Sequence, residues 1–351
     1  MKIIKTKKSR LKEVDFENLG FGEIFSDHML SMEYKKGKWD AAEIIPYGPI
    51  KINPAICSLH YAQIIFEGLK AFCAKNRSIY LFRPQKYHER MNQSSKRLCI
   101  PEVSLEVFME GLKELVTLDK EWVPRKRGYS LYIRPFIFAT DDFLGVKVSD
   151  TYRFLIITGP VGAYYKEGIN PVRLITPGEY VRASKGGLGA AKTPANYAAT
   201  LLPAEEAKEK GFTQVLWLDG VERKYVEEVG TMNLFFLIGD ELVTPPLEGT
   251  ILPGVTRDSV IHLAKDWGIK ISERRLSIDE AFSASRKGSL KEVFGSGTAA
   301  VISPVGEIHH ERKKIIVNSN KIGPLAQKLY DEITGIQYGE KPDKFGWRYT
   351  I

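Results

Sequence analysis

The chain has 351 residues, with 51 Lys and Arg against 43 Asp and Glu (net charge +8), 43% hydrophobic and 27% charged residues. This is the composition of an ordinary globular protein with room for two domains or one large one. Acids and bases interleave, so there is no basic stripe for nucleic acid. No apolar run reaches the length of a membrane span, and the start, Met-Lys-Ile-Ile-Lys-Thr-Lys-Lys-Ser-Arg, lacks the apolar core of a secretion signal. Cys57, Cys73 and Cys99 are odd in number and form no Cys-x-x-Cys pair. That argues for a reducing, cytoplasmic setting without a disulfide framework. His309-His310 is the one histidine cluster and has no ligand neighbours at metal spacing, so no metal site is expected.

In chain order, Ile79 to Phe82 reads as a strand and Lys86 to Leu98 as a helix carrying Arg90, with Pro101 just beyond its end. Ser104 to Leu118 places Leu105, Phe108, Leu112 and Leu115 at helical spacing, with Ser104 as N-cap. Tyr129 to Phe138 and Tyr152 to Gly159 read as buried strands. Tyr165 to Pro171 breaks both periodicities. It places a linker at 166–172 between an N-terminal α/β domain (1–165) and a larger domain (173–351). Strands are then expected at Val172–Thr176, Gln214–Leu218, Asn233–Ile238 and Glu292–Phe294. Helices are expected at Asn196–Lys210, Thr256–Trp267 and Ile278–Ser285. Mixed sheets with helices fit an α/β or α+β class.

Tyr180 to Tyr197 holds the most informative residues. Gly186, Gly187 and Gly189 let the backbone turn tightly or admit a close approach, and Lys192 follows among small residues. An amine in a partly desolvated pocket loses its proton and becomes a nucleophile, as in a Schiff base with pyridoxal phosphate. A glycine loop with a solvated lysine is the plain alternative.

Two segments offer an anion cradle. Leu252-Pro253-Gly254-Val255-Thr256 opens a helix, where free N–H groups and the helix dipole favour a phosphate; equally, Thr256 is an ordinary N-cap. Phe294-Gly295-Ser296-Gly297-Thr298-Ala299-Ala300 is a small-residue turn after a strand. Neither is a Walker loop or a dinucleotide fingerprint. Glu227 and Glu228 precede an apolar strand. They read either as a solvated turn or as a carboxylate for a protonated pyridine nitrogen.

Together these segments resemble the branched-chain amino acid aminotransferases of the fold-type IV pyridoxal phosphate class. Further matches are Leu59 to Phe72, Leu81-Phe82-Arg83-Pro84, Leu131-Tyr132-Ile133-Arg134-Pro135 and Gly159-Pro160-Val161-Gly162-Ala163-Tyr164. The resemblance runs in order from about Phe21 to Pro304. It implies a two-domain α/β fold of that type, with the larger domain binding pyridoxal 5'-phosphate and the cofactor between the domains.

It also implies roles. Lys192 carries the cofactor and moves the substrate's proton. Glu228, with Glu227 as rival, faces the ring nitrogen, and Tyr197 faces the ring oxygen. Arg90, Val255, Thr256 and Thr298 hold the phosphate, Thr231 joins the cofactor set, and Arg182 supports it. Phe66, Tyr132 and Tyr164 wall the substrate pocket. Tyr61, Leu144 and Val146 are lent by the neighbouring subunit of a homodimer, and Thr298 and Ala299 receive the substrate carboxylate. Arg134 orients either a tyrosine or a carboxylate.

The implied reaction is ping-pong transamination of leucine, isoleucine and valine with 2-oxoglutarate, through 2-keto acids. The alternatives are a D-amino acid aminotransferase or an aminodeoxychorismate lyase-like enzyme of the same fold type, and beyond enzymes a regulatory protein that keeps the fold. Mammalian members carry a Cys-x-x-Cys pair where this chain has Ala300 and Ser303, so a thiol switch there is not expected. Lys185 precedes the glycines, does not match the cofactor position and reads as a surface lysine.

Overall fold

The computed structural model describes residues 1–163 and 169–351. Tyr164 and part of the expected linker therefore lie outside the described residues. The chain divides into two compact units. The first comprises Met1–Tyr164, Ala191–Pro194 and Gly335–Ile351; the second comprises Tyr165–Ala190 and Ala195–Thr334. A short mid-chain piece and the C-terminal tail thus belong to the first unit.

The strands of the first unit are β1 (Lys2–Ile3), β2 (His28–Lys35), β3 (Lys38–Trp39), β4 (Glu43–Pro46), β5 (Ile64–Phe66), β6 (Leu69–Cys73), β7 (Ile79–Phe82), β8 (Ser130–Ala139) and β9 (Tyr152–Val161). Its helices are α1 (Cys57–Tyr61), α2 (Pro84–Arg97) and α3 (Leu105–Leu118). The second unit has β10 (Val172–Ile175), β11 (Gln214–Leu218), β12 (Val226–Val229), β13 (Met232–Ile238), β14 (Glu241–Thr244), β15 (Lys270–Glu273), β16 (Leu290–Gly297), β17 (Val301–His310) and β18 (Lys313–Ile316). Its helices are α5 (Leu201–Glu209), α6 (Val255–Asp266) and α7 (Ile278–Arg286), with most of α4 (Pro194–Ala198) and of α8 (Pro324–Gln337), whose first and last residues respectively belong to the first unit. A final strand, β19 (Arg348–Thr350), returns to the first unit.

The first sheet runs β1-β4-β2-β9-β8-β6-β7-β19, with β3 on β2 and β5 on β8. The long β8–β9 pairing spans Ser130↔Val161 to Ala139↔Tyr152. Helix α3 buries Phe108, Leu112, Leu115 and Val116 completely. Ser104 caps it by accepting a hydrogen bond from Val107 N (3.2 Å), as the spacing predicts. Gly111 lets α3 approach β2 closely: a Cβ there would lie 2.5 Å from Leu30 Cδ1.

The second sheet runs β12-β11-β10-β17-β16-β13-β14-β15, with β18 on β17. An extra pairing of β12 with β13 closes six of its strands into a ring. Its apolar cluster includes Leu174, Leu216, Val229, Met232, Leu234, Phe236, Val293 and Ile308.

Three expectations need correction. The helix expected at Asn196–Lys210 is two helices, α4 and α5. Pro203 in the first turn of α5 lacks an N–H and clashes with the carbonyl four residues back, so α4 cannot run through. The strand expected at Glu292–Phe294 extends to Gly297, because Gly295, Ser296 and Gly297 continue the ladder to Ser303, Ile302 and Val301. Glu227 and Glu228 do not form a solvated turn; both are buried within β12.

Among the described residues no helix is long and apolar enough to cross a membrane. The N-terminus of α8 is capped from a distance. Glu292 on β16 accepts from Leu325 N and Ala326 N (both 2.9 Å), and Gly323 leaves room for that carboxylate, since a Cβ there would lie 2.0 Å from Glu292 Cδ. We expect Glu292→Ala to cost about 1–3 kcal/mol, the penalty for orphaned buried donors at a helix start. Glu292→Gln should cost less, because one acceptor oxygen remains. The midpoint of urea unfolding measures both; an unchanged midpoint for Glu292→Ala would remove the cap from the account.

Candidate active site

Lys192 is fixed in the first unit by its own backbone. Its N–H donates to Ser94 Oγ (2.9 Å), and its carbonyl accepts from Phe66 N (3.0 Å). Ser94 lies one helical turn after Arg90 on α2, so the two share a face. Arg90 grips Glu67, which is 0% exposed, through Nε to Oε1 (2.7 Å) and Nη2 to Oε2 (2.8 Å). Gly68 N adds a third bond to Glu67 Oε2 (3.1 Å). Burial is the largest influence on Lys192 and the Arg90 cation the next; together they pull its amine down to about 8, against the opposing pull of Glu67 and Tyr132.

The floor of this region is one face of the first sheet. Along β8, Leu131, Ile133, Pro135 and Ile137 are buried while Tyr132, Arg134 and Phe136 are partly exposed. Alternation therefore puts Tyr132, Arg134 and Phe136 on one side, with Lys70 opposite Tyr132 and Phe66 opposite Phe136. Arg134 Nη2 donates to the Tyr132 hydroxyl (3.0 Å), and its guanidinium lies 4.7 Å from the Phe66 ring centre. Lys192 Nζ lies 4.9 Å from the same ring. Gly68 is required here: a Cβ would sit 2.1 Å from Tyr132 Oη. Lys70 is buried, and burial lowers its amine to about 8.

Sequence reasoning placed Lys192, Arg90, Phe66, Tyr132 and Arg134 here, and the structure brings them together. It missed Glu67, Lys70 and Ser94 as participants. Glu67 and Lys70 stand in the motif that contains Phe66; a carboxylate and an amine amid a buried strand sequence were the available signal.

In the second unit, β12 separates the two adjacent acids. Glu228 pairs with Asn233 of β13. Its Oε2 lies 2.7 Å from Arg182 Nε, while Oε1 accepts from Asn233 Nδ2 (3.1 Å) and Leu252 N (3.0 Å). Arg182 is held in turn by the carbonyls of Thr250 (2.6 Å) and Gly189 (3.2 Å). Glu227 points the other way, on the face of Val229, and lines a cavity of about 210 Å³ with Tyr225, Pro245, Pro246 and Arg275. Burial pushes its carboxyl up, with a hydrogen bond from Thr250 opposing. Glu228 is thus tied to a cation and two N–H donors, and Glu227 is not.

The row Glu228–Asn233 continues to Ser296 of β16. Ser296 is 1% exposed and its Oγ has no hydrogen-bond partner. Helix α6 begins at the N-cap Gly254, which offers no side-chain cap; Val255 and Thr256 follow, both buried. Thr298 and Ala299 form the β16–β17 turn, which ends at Val301 with φ +63°. That is a costly conformation for a β-branched residue and fixes the turn's shape.

Tyr197 lies on α4, half-buried, and Thr231 is exposed in the β12–β13 turn. Tyr61, Leu144 and Val146 are exposed by 43%, 64% and 88%. Tyr61 ends α1, and the loop of Leu144 and Val146 is joined to the start of that helix by Cys57 N to Asp141 O (3.0 Å) and Phe143 N to Ala55 O (3.1 Å). Tyr164 lies outside the described residues. Lys185 is exposed.

Residues 65–308 match the family Amino-transferase class IV. The chain belongs to the class IV aminotransferases, among their branched-chain-amino-acid members. It is 54% identical to branched-chain-amino-acid aminotransferase 2 of Bacillus subtilis, over 96% of this chain and 93% of that one. The crystal structure of the Escherichia coli branched-chain aminotransferase superposes with a TM-score of 0.75 at 28% identity, covering 92% of this chain and 98% of that one. The T.th. branched-chain aminotransferase, complexed with N-(5'-phosphopyridoxyl)-L-glutamate, gives 0.73 at 27% identity, covering 91% and 97%.

The fold is thus the fold-type IV arrangement that the sequence motifs imply. The branched-chain reading stands over the D-amino acid and lyase-like alternatives. The family depends on pyridoxal phosphate, and the donor set of this aminotransferase fits that group. Taken unit by unit, the first has an amine of lowered basicity for an aldehyde, and the second has a charge-paired buried carboxylate for a pyridinium and a buried helix start without a side-chain cap for a phosphate.

The lowered amine of Lys192 has a pH signature. The folded protein holds the group neutral above about pH 8, where a free lysine would still be charged. The rate at which the cofactor-free protein captures pyridoxal phosphate should rise with pH through a midpoint near 8, read by absorbance in a stopped-flow series. A midpoint at 10 or above would show that the amine is not desolvated.

Proposed function

We propose that this aminotransferase interconverts leucine, isoleucine and valine with their 2-keto acids, with 2-oxoglutarate as amino acceptor, in a ping-pong cycle in the cytoplasm. The observation that carries the reading is Lys192: pinned by its backbone, and held at low basicity by burial and by Arg90. When bound, pyridoxal phosphate supplies an electron sink for the substrate's α-carbon.

The chain's residues do the rest. Lys192 Nζ would hold the cofactor and, when not so engaged, would carry the proton from the substrate's α-carbon to the cofactor, work suited to a group whose proton affinity lies near the working pH. Glu228, ion-paired with Arg182 and hydrogen-bonded by two N–H donors, pairs with the ring nitrogen, and Tyr197 faces the ring oxygen. Arg90, Val255, Thr256 and Thr298 hold the phosphate, with Glu67 fixing the plane of the Arg90 guanidinium; Thr231 completes the cofactor set. Phe66 and Tyr132 give the substrate side chain an apolar wall, with Tyr164 as a further aromatic of that pocket. Arg134 and the Tyr132 hydroxyl receive the distal carboxylate of 2-oxoglutarate on the same surface. The backbone N–H groups of Thr298 and Ala299 donate to the α-carboxylate.

Discrimination among the three branched substrates should be modest, since one methylene is worth about 1–3 kcal/mol. Tyr61, Leu144 and Val146, exposed on one chain, complete the pocket of a second copy in a homodimer.

Borohydride treatment of the holoenzyme should fix the cofactor on the peptide containing Lys192. Lys192→Ala should lose turnover of leucine with 2-oxoglutarate while remaining folded. Label on the Lys70 or Lys185 peptide, or turnover in the variant, would overturn the assignment. For the acids, Glu228→Gln should depress kcat far more than Glu227→Gln, and the reverse order would exchange their roles.

A further inference from the structure

Asn233 stands where β12, β13 and the entry to α6 meet. Its amide nitrogen donates to Glu228 Oε1 (3.1 Å) and to the carbonyl of Leu252 (2.9 Å). Leu252 N returns a bond to the same Glu228 oxygen (3.0 Å), so Asn233, Glu228 and the backbone at 252 form a closed triangle. The amide oxygen faces Gly254: a Cβ there would lie 1.9 Å from Asn233 Oδ1. Gly254 is the N-cap of α6, so the first turn of that helix rests directly against this side chain. Asn233 is 5% exposed, which leaves the amide little freedom to reorient.

We propose that Asn233 is a positioning residue that ties the carboxylate of Glu228 to the N-terminal turn of α6, so that one side chain sets the spacing between the two. The proposal rests on the reading above, in which Glu228 serves the ring nitrogen and the α6 start serves the phosphate. A rigid aromatic cofactor with both ends fixed needs its two partners at a set separation, and a drift of about half an ångström weakens both contacts at once. Asparagine suits the position on three counts. It offers two N–H donors for two acceptors, it adds no charge beside Glu228, and it is short enough to let Gly254 close over its oxygen. Aspartate would keep the shape but turn the donor into an anion beside Oε1. Glutamine would collide with the turn that Gly254 makes possible.

The test uses Asn233→Ala, Asn233→Asp, Glu228→Gln and the Glu228→Gln/Asn233→Ala double variant of the full chain. Three measurements are made on each: affinity of the cofactor-free protein for pyridoxal phosphate by equilibrium dialysis, kcat and KM for leucine, and the urea midpoint. Asn233→Ala should weaken cofactor binding and lower kcat by about 10- to 100-fold, the range for one hydrogen bond to a charged group, with KM for leucine nearly unchanged. If Asn233 acts through Glu228, its removal should lower kcat by less than about 3-fold once Glu228 is already glutamine.

Asn233→Asp should move the acid limb of the kcat profile to higher pH, because a second carboxylate raises the proton affinity of the first. A strong effect of Glu228→Gln beside an inert Asn233→Ala overturns this proposal alone, as does full additivity in the double variant. An inert Glu228→Gln overturns the reading of Glu228, and the proposal with it. Should Asn233→Ala fail to fold, the isosteric aspartate variant decides: an unshifted acid limb refutes the tie.

Discussion

Charges set beside a buried lysine must balance one another, or the site strands an unpaired charge. The Glu67–Arg90 ion pair meets that constraint, and the rest of the first unit's chemistry depends on it. Arg90 alone would depress the amine of Lys192 further but would stand as an uncompensated buried cation. Glu67 alone would hold the amine charged. As a bidentate pair with a backbone N–H on the carboxylate, they cancel at a distance while leaving Arg90 as a net depressor at close range. Such a pair gives little stability by itself, but breaking it costs about 3–5 kcal/mol because the survivor is stranded. The pair therefore serves the basicity of the lysine more than the strength of the fold.

Strand alternation does the sorting in both units. In β8 it sends aliphatic residues to the packed side and Tyr132, Arg134 and Phe136 to the other. In β12 it sends two chemically identical neighbours to opposite environments. Glu228 meets a guanidinium and two N–H donors, while Glu227 lines a small cavity with Pro245 and Pro246. One acid is ion-paired and hydrogen-bonded, and burial pushes the carboxyl of the other up. Adjacency in sequence made them rivals; the two-residue period of a strand makes them unlike.

Much of the fold could be read from local pattern, and the reason is visible in each case. Ile79–Phe82 and Gln214–Leu218 are apolar runs with punctuated ends and appear as expected. Ser104 is an N-cap because its hydroxyl finds Val107 N within the same turn. Lys192 stood out because glycines and small residues around a lysine are locally unusual. The features that escaped are those whose partners lie far along the chain. Glu67 and Arg90 are 23 residues apart, and nothing near Glu67 announces a buried pair. β12 looks like a polar turn until Arg182 and Leu252 are brought to it. The breaks between elements followed the same rule: Pro203 splits a helix that periodicity alone would continue.

The exposed loop after β8 obeys the same logic of balancing a cost in advance. Phe143, Leu144, Val146 and Val148 face outward, and apolar side chains so placed would collapse or wander if the backbone were free. Asp141 prevents this: its carboxylate accepts from Thr151 Oγ1 (2.6 Å) and Asp150 N (3.0 Å) and meets Lys147 Nζ (2.9 Å). Burial pushes its carboxyl up, but these bonds outweigh it and hold the group well below the usual carboxylate range. Gln63 adds a second brace, accepting from Ser149 N (3.2 Å) and donating to Tyr152 (3.1 Å). A loop ordered before contact loses little entropy when a second copy covers it. The entropy is therefore lost on folding, where buried polar bonds offset it, and the proposed subunit contact gains the full apolar area. The same arrangement explains why the loop carries its polar residues at its base and its apolar ones at its tip.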